Sequence, residues 1–256
     1  MSLFRDLHER DTPLLLPNAW DVASGAALAE AGFPAIGTTS LGVAAAAGKP
    51  DAEGGTRQET LALARGLARL PVPVTVDVEG GFSDRAEDVA ALAAELASYG
   101  IAGINIEDGR SDGSLGPADR QSALIGAIKD AAPGLFVNAR TDSFWLPGHE
   151  AETLERVRAY TGAGADGVFV PGIAEEADVR AVVAATPLPV NVLFLPGRVT
   201  VDGLAELGVR RVSYGSLLFR AALRAAVTTA LTGGPPEGAP SYADVERLVS
   251  GLDGLR

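Results

Sequence analysis

Residues 72–109 read VPVTVDVEGGFSDRAEDVAALAAELASYGIAGINIEDG. This stretch decides the fold. A β-branched run at 72–78 is followed by an Ala/Leu/Glu-rich segment at 85–99, then Gly100 and a second apolar run at 103–107. Two short buried-strand patterns separated by one amphipathic helix make a βαβ unit, whose strands are parallel. Tyr99-Gly100 places glycine where a helix ends in the left-handed conformation.

The same unit recurs in both directions along the chain. Further strands are predicted at 14–17, 35–38, 135–139, 167–170, 189–193 and 211–213. Helices are predicted at 22–30, 56–70, 118–132, 150–162, 175–185, 201–207 and 216–231. Ala31-Gly32, Ala163-Gly164 and Leu207-Gly208 repeat the glycine stop. Eight such units in 256 residues fit a single (β/α)8 TIM barrel better than an open doubly wound sheet. Residues 232–241, TGGPPEGAPS, form a Gly/Pro hinge before a short amphipathic helix at about 242–252. That extension is too small for a core of its own, so 1–256 counts as one domain.

Composition narrows the function. There is no Cys, which excludes disulfides, thiolate metal sites and a cysteine nucleophile, and only His8 and His149 remain as imidazoles. A net charge of −12 argues against nucleic acid or an anionic membrane as partner. No run of about 18 uncharged apolar residues is present, and the first ten residues, MSLFRDLHER, are charged where a secretory signal needs an apolar core. The expectation is a cytoplasmic protein. Any metal it binds must be held by oxygen ligands.

Active sites of such barrels lie at the C-terminal ends of the strands. Read in order, those ends supply Asn18 to Asp21, then Thr38-Thr39-Ser40, then Asp77 and Glu79, then Glu107 and Asp108, then Arg140 and Asp142. Asp51 lies in a stretch, 41–55, that reads as a long loop. Period-two alternation puts Asp77 and Glu79 on one side of their strand, with Glu107 on the next. Carboxylates crowded this way repel unless one is protonated or a hard divalent ion joins them; oxygen donors and water suit Mg2+ or Mn2+. Arg140 can clamp a carboxylate or phosphonate with its planar fork, or simply pair with Glu107 or Asp142. The phrase from Gly37 to Gly42 can present N–H groups to an anion. Trp20 either walls the substrate or fills core.

Several ordered phrases then resemble the isocitrate lyase/phosphoenolpyruvate mutase superfamily: PNAWDVASGAALAEAGFPAIGTTS (17–40), GVAAAAGKPD (42–51), VDVEGGF (76–82), GINIEDG (103–109), NARTDSF (138–144), GAGADGVFVPG (162–172) and GVRRVSYGSLLFRAA (208–222). The resemblance implies a (β/α)8 barrel whose C-terminal helix is exchanged between subunits of a homodimer, often within a homotetramer. It implies Mg2+ held by Asp77, Glu79 and Glu107 with Asp51, partly through water. It also implies a substrate carboxylate bound at Thr39, Ser40 and Leu41, and Arg140 on the leaving portion. Asp51 and Arg140 are thus the catalytic candidates. Glu79 departs from the Asp usual in the family. The loop 107–120, EDGRSDGSLGPADR, lacks the lyase Cys phrase and the mutase Lys and Asn, and the seventh strand, PVNVLFLPG, lacks Asn-x-Thr-Glu although Asn191 can offer an amide.

The expected activity is Mg2+-dependent carbon–carbon bond cleavage of a small 2-oxo carboxylate through an enolate, decarboxylation of an oxaloacetate-like diacid being the simplest form. The alternatives are P–C bond chemistry on phosphonopyruvate, as mutase or hydrolase, and a non-catalytic metabolite-binding barrel.

Overall fold

The computed structural model describes residues 3–251. Its strands are β1 (Leu14–Leu16), β2 (Asn18–Ala19), β3 (Ile36–Thr38), β4 (Val74–Asp77), β5 (Gly103–Glu107), β6 (Phe136–Arg140), β7 (Gly167–Val170), β8 (Val190–Leu193) and β9 (Arg211–Ser213). The helices are α1 (Leu3–Asp6), α2 (Val22–Glu30), α3 (Ser40–Ala46), α4 (Arg57–Leu67), α5 (Ala86–Ser98), α6 (Ala118–Ala131), α7 (Thr153–Gly162), α8 (Glu176–Ala185), α9 (Val201–Glu206), α10 (Leu217–Thr232) and α11 (Tyr242–Ser250).

All strand pairs are parallel, in the order β1-β9-β8-β7-β6-β5-β4-β3-β2. β1 and β2 are one stave interrupted by Pro17, which has no N–H to give to a ladder. Residues before Pro17 pair with β9 and those after it pair with β3, so the ring closes into a (β/α)8 barrel. Asn18 ties this seam at the top: its Nδ2 donates to Thr38 O (2.7 Å), and its Oδ1 accepts from the N–H groups of Tyr214 (3.0 Å) and Gly215 (2.8 Å).

The apolar core lies between the strands and the outer helices, with Val76, Ile104, Ile106, Val137 and Ala139 fully buried against Leu92, Leu96, Ile125 and Ile128. The barrel interior is unusually polar. Arg211 is 0% exposed and its Nη2 donates to Asn105 Oδ1 (3.1 Å). Asn138 Nδ2 donates to both Asn105 Oδ1 (2.9 Å) and Asn191 Oδ1 (3.1 Å), and Ser213 Oγ donates to Asn191 Oδ1 (2.9 Å). Burial pushes the Arg211 guanidinium down to about 9, opposed by Asp77.

One expectation needs correction. The stretch 41–55 is not all loop: Ser40–Ala46 is helix α3, entered through Thr39 in extended conformation. Its Gly-Val-Ala-Ala-Ala sequence carries no polar periodicity to announce a helix, although alanine is the strongest helix former. The terminal helix α11 docks on its own chain, where Leu248 packs on the main core and Arg247 pairs with Glu30 of α2. Helix α10 differs: only Phe219 is buried, while Leu223, Val227 and Leu231 on the same face are exposed.

At the N-terminal end of the barrel, His8 is buried, donates Nδ1–H to Phe4 O (2.8 Å) and stacks on Phe136 (4.5 Å between centroids). Burial and then Arg211 push its pKa down to about 3. The unfolded chain therefore binds a proton here below pH about 6.5 that the folded chain refuses. Stability falls as pH drops from 6.5 towards 3, by about 2 kcal/mol at pH 5 from this group. In the His8→Phe variant, urea unfolding at pH 5 and pH 7 should show that part of the difference removed; an unchanged slope would contradict the assignment.

Candidate active site

The C-terminal ends of the strands enclose a cleft with an empty volume of about 1020 Å3, open solvent at its mouth included. Thr39, Ser40, Leu41, Asp51, Asp77, Glu107 and Arg140 all line it. Seven of the ten residues singled out from the sequence are thus brought together; Trp20, Glu79 and Asn191 are not among its walls.

Each absence has a physical reason. β4 ends at Asp77, and Glu79 beyond it has φ +51°, so alternation no longer governs its direction. Its carboxylate turns to the neighbouring loop, where Thr56 Oγ1 donates to Oε1 (2.6 Å) and Gly54 N–H donates to Oε2 (3.0 Å). Glu79 braces the loop that carries Asp51. Asn191 does face the barrel interior, but one layer below the cleft, where its amide is consumed by Asn138, Ser213 and the carbonyls of Val192 and Arg211. Leu193, two residues further along the strand, reaches the cleft. Trp20 packs edge-on against Phe219 of α10, 5.5 Å between centroids.

The Glu79 brace gives a direct prediction. Glu79→Ala leaves the buried Thr56 hydroxyl and the Gly54 N–H unsatisfied and should destabilise the protein by about 2 kcal/mol. A urea midpoint within about 0.5 kcal/mol of the parent, the range of a plain surface change, would show that these bonds do not form.

On the cleft floor, Arg140 lies among acids. Nε donates to Asp142 Oδ1 (2.6 Å), and Nη1 lies 2.6 Å from Glu107 Oε2 and 3.9 Å from Asp77 Oδ2. Burial pushes Asp77 up to about 6, against the pull of Arg140, with Asp51 and Glu79 adding repulsion. Burial raises Glu107 well above the usual carboxylate range despite Arg140, with Asp142 and Asp77 pushing the same way. Burial alone would lower Arg140, but the carboxylates of Asp142, Glu107 and Asp77 raise it above its ordinary value. This is an acid cluster that one guanidinium compensates only in part.

Two buried carboxylate oxygens at the cleft, Asp51 Oδ1 and Glu107 Oε2, accept no hydrogen bond. Nη1 of Arg140 is near Glu107 Oε2 but poorly aligned with it. Such atoms cost about 1–3 kcal/mol each unless something occupies them. A hard cation fits this donor set. Among the described residues no three acids converge closely enough to enclose an ion, so an ion held here would keep several waters, as Mg2+ commonly does beside one or two carboxylates.

The surroundings fix these groups. Asp77 N–H donates to Thr38 Oγ1 (2.8 Å), locking β4 to β3. Thr39 N–H donates to Ala19 O (3.1 Å), while the first-turn N–H groups of α3, from Ser40 and Leu41, have no intrahelical acceptor. Asp108 turns away from the cleft: Tyr160 OH (2.5 Å) and Arg156 Nη1 (3.1 Å) donate to its Oδ2, and Asp142 N–H (2.8 Å) to its Oδ1. That buried network is invisible to spacing rules, because Arg156 and Tyr160 lie on α7, far along the chain. It roots a short hairpin in which Gly109 bridges Leu115 and Arg110 N–H donates to Ser114 O (3.0 Å). Gly109 is required there, since a Cβ would collide with the Asp142 carboxylate. Trp145, Leu146 and Phe169 also line the cleft; Phe169 lies within the phrase 162–172, but nothing in that phrase marks it as facing the cleft.

The carboxylates and the arginine of this cleft stand at the C-terminal strand ends, where (β/α)8 barrel enzymes carry their active sites. The phosphoenolpyruvate phosphomutase family matches residues 4–232, and the chain belongs to that family, within the isocitrate lyase/phosphoenolpyruvate mutase superfamily of lyases and mutases. An uncharacterized protein from Mycobacterium tuberculosis is 44% identical over 252 residues, covering 96% of each chain. A 2-methylisocitrate lyase from Bacillus subtilis is 31% identical, over 87% of this chain and 77% of the lyase. An oxaloacetate decarboxylase from Bradyrhizobium diazoefficiens is 30% identical, over 90% of this chain and 84% of the decarboxylase. A phosphonopyruvate hydrolase solved with oxalate and Mg2+ shares the fold, with TM-score 0.83 at 22% identity over 98% of this chain and 94% of the hydrolase. No helix among the described residues is long and apolar enough to cross a membrane.

Proposed function

We propose that the protein is a Mg2+-dependent lyase that cleaves a carbon–carbon bond of a small 2-oxo carboxylate, decarboxylation of an oxaloacetate-like diacid being the simplest form. The observation that carries this reading is the crowding of Asp51, Asp77 and Glu107 in one cleft, where buried Asp51 Oδ1 and Glu107 Oε2 accept no hydrogen bond, although Arg140 Nη1 lies 2.6 Å from the latter, and burial raises the Asp77 carboxyl. Asp51, Asp77 and Glu107 are the residues that would hold the ion, in part through water. When bound, the ion supplies positive charge at the substrate's 2-oxo oxygen and carboxylate. The oxalate and Mg2+ in the related hydrolase and the decarboxylase among the relatives support the same chemistry.

The chain's own residues then orient and neutralise. Arg140 sets fixed positive charge beside the leaving portion of the substrate, and Thr39, Ser40 and Leu41 at the start of α3 bind its carboxylate, the last two through their N–H groups. The cleft lining contains no Cys or His, and decarboxylation needs neither. The C3–C4 electron pair moves into the C2 carbonyl, CO2 departs, and the resulting enolate takes a proton from water at C3 to give pyruvate.

The test is pyruvate release from oxaloacetate with Mg2+ and with EDTA, each against an enzyme-free control. A rate above control only with Mg2+ is expected; rates equal to the control sink the proposal. Phosphate release from phosphonopyruvate in its place would assign P–C chemistry instead. The exposed Leu223, Val227 and Leu231 face of α10 supports a homodimer or homotetramer in which this helix lies against a second copy. Light scattering that shows monomers at micromolar concentration would contradict that assembly.

A further inference from the structure

The two halves of the cleft differ in chemistry. The ends of β3, β4 and β5 carry Thr38 to Ser40, Asp77 and Glu107, while Asp142 follows β6 and Ser213 ends β9. The ends of β6, β7 and β8 carry a wall built from Trp145, Leu146, Phe169, Pro171 and Leu193, completed from across the cleft by Leu41. The change happens between adjacent strands. Glu107, Arg140 and Phe169 stand in register on β5, β6 and β7, and the Arg140 guanidinium lies 5.6 Å from the Phe169 ring centroid.

The wall is built rather than incidental. Trp145 is 53% exposed, and of the large apolar side chains exposed among the described residues it is the one that lines the cleft. Its backbone is fixed, since the N–H groups of Trp145 and Leu146 both donate to Asp142 O (2.9 and 2.8 Å). Gly172 (φ +86°) seats the exit of β7 against this loop, where a Cβ would lie 2.5 Å from Phe144 O. An indole held half in water beside a charged floor is an unfavourable arrangement unless a ligand covers it.

We propose that this wall is a subsite for an apolar arm, alkyl or aryl, carried by the substrate beyond its chelating 2-oxo carboxylate end. The inference rests on the 2-oxo acid reading and deepens it: a 2-oxo acid that carries a hydrophobic substituent gains affinity from the wall over one that lacks it. The wall residues themselves are all apolar; the cations lining the cleft are Arg140, already engaged by Glu107 and Asp142, and Arg110 of the hairpin.

The experiment is calorimetric titration of the full-length protein in Mg2+ with oxalate, pyruvate, 4-methyl-2-oxopentanoate and phenylpyruvate, repeated with Trp145→Ala and Trp145→Phe. Affinity is expected to rise about fourfold for each methylene added to pyruvate. Trp145→Ala should lower the phenylpyruvate-to-oxalate affinity ratio about tenfold, and Trp145→Phe should restore most of it. Oxalate binding with Mg2+, but no gain from alkyl or aryl arms and no change in that ratio, overturns the subsite and leaves the 2-oxo acid reading standing. Loss of Mg2+-dependent oxalate binding overturns the chelation reading, and a gain from the arm that persists without Mg2+ still supports the wall.

Discussion

Asp77→Asn is expected to abolish Mg2+-dependent turnover while making the metal-free protein more stable. The two effects have one cause. Burial pushes the Asp77 carboxyl from 3.8 to about 6, with Asp51 and Glu79 adding repulsion. A carboxyl whose folded pKa is raised favours folding only while protonated, so its contribution is lost as pH rises from 3.8 through 6. Above that range the ionised side chain costs up to about 3 kcal/mol, less some relief from its remaining 10% exposure. Asparagine removes that cost and keeps the shape. It also removes a donor for the ion, so activity should fall by about 1,000-fold, the scale of a lost charge-stabilising group. Thermal melts in EDTA should show the variant above the parent, and the rise that Mg2+ gives the parent should vanish. A variant that melts lower in EDTA and still responds to Mg2+ would contradict this account.

Arg140→Met has the opposite signature. Arg140 is the cation beside Glu107, Asp142 and Asp77 on the cleft floor. Removing one partner of a buried ion cluster strands the others, at a cost of about 3–5 kcal/mol. For a domain of this size the melting temperature should fall by roughly 10 °C. A second substitution, Glu107→Gln, should return part of that loss by removing one stranded charge, a coupling that a double-mutant cycle measures. Additive effects of the two changes would show that Arg140 and Glu107 do not interact.

Most of the barrel was legible because periodicity and glycine stops are local signals. β5 and β7 match the expected spans at both ends, and β6 is displaced by a single residue. Local rules failed where the chain leaves regular structure. Glu79 was placed beside Asp77 by an alternation that holds only inside a strand, and the left-handed turn at Glu79 redirects it. Asn191 obeys the alternation, but height along the barrel axis decides whether an inward side chain meets the cleft or the buried Asn138–Ser213 network. Trp20 admits both a substrate wall and core filling, and its partner Phe219, which decides for packing, is some 200 residues away in sequence. Phe169 and Leu193 lie within quoted phrases, yet the wall they form with Trp145 is not announced, because apolar residues at strand ends look like ordinary core until the fold turns them to the cleft.

The acids at the ends of β4 and β5 are expected to coexist by sharing a divalent ion. The anomalous signal of a crystal soaked in Mn2+ and oxalate reads this out. One Mn2+ peak is expected within the cleft, coordinated by Asp77 or by waters bridging to Asp51 and Glu107, with oxalate completing the shell. A cleft that holds oxalate on Arg140 alone, with manganese absent or bound only among the outer acids such as Glu53 and Asp84, would contradict it.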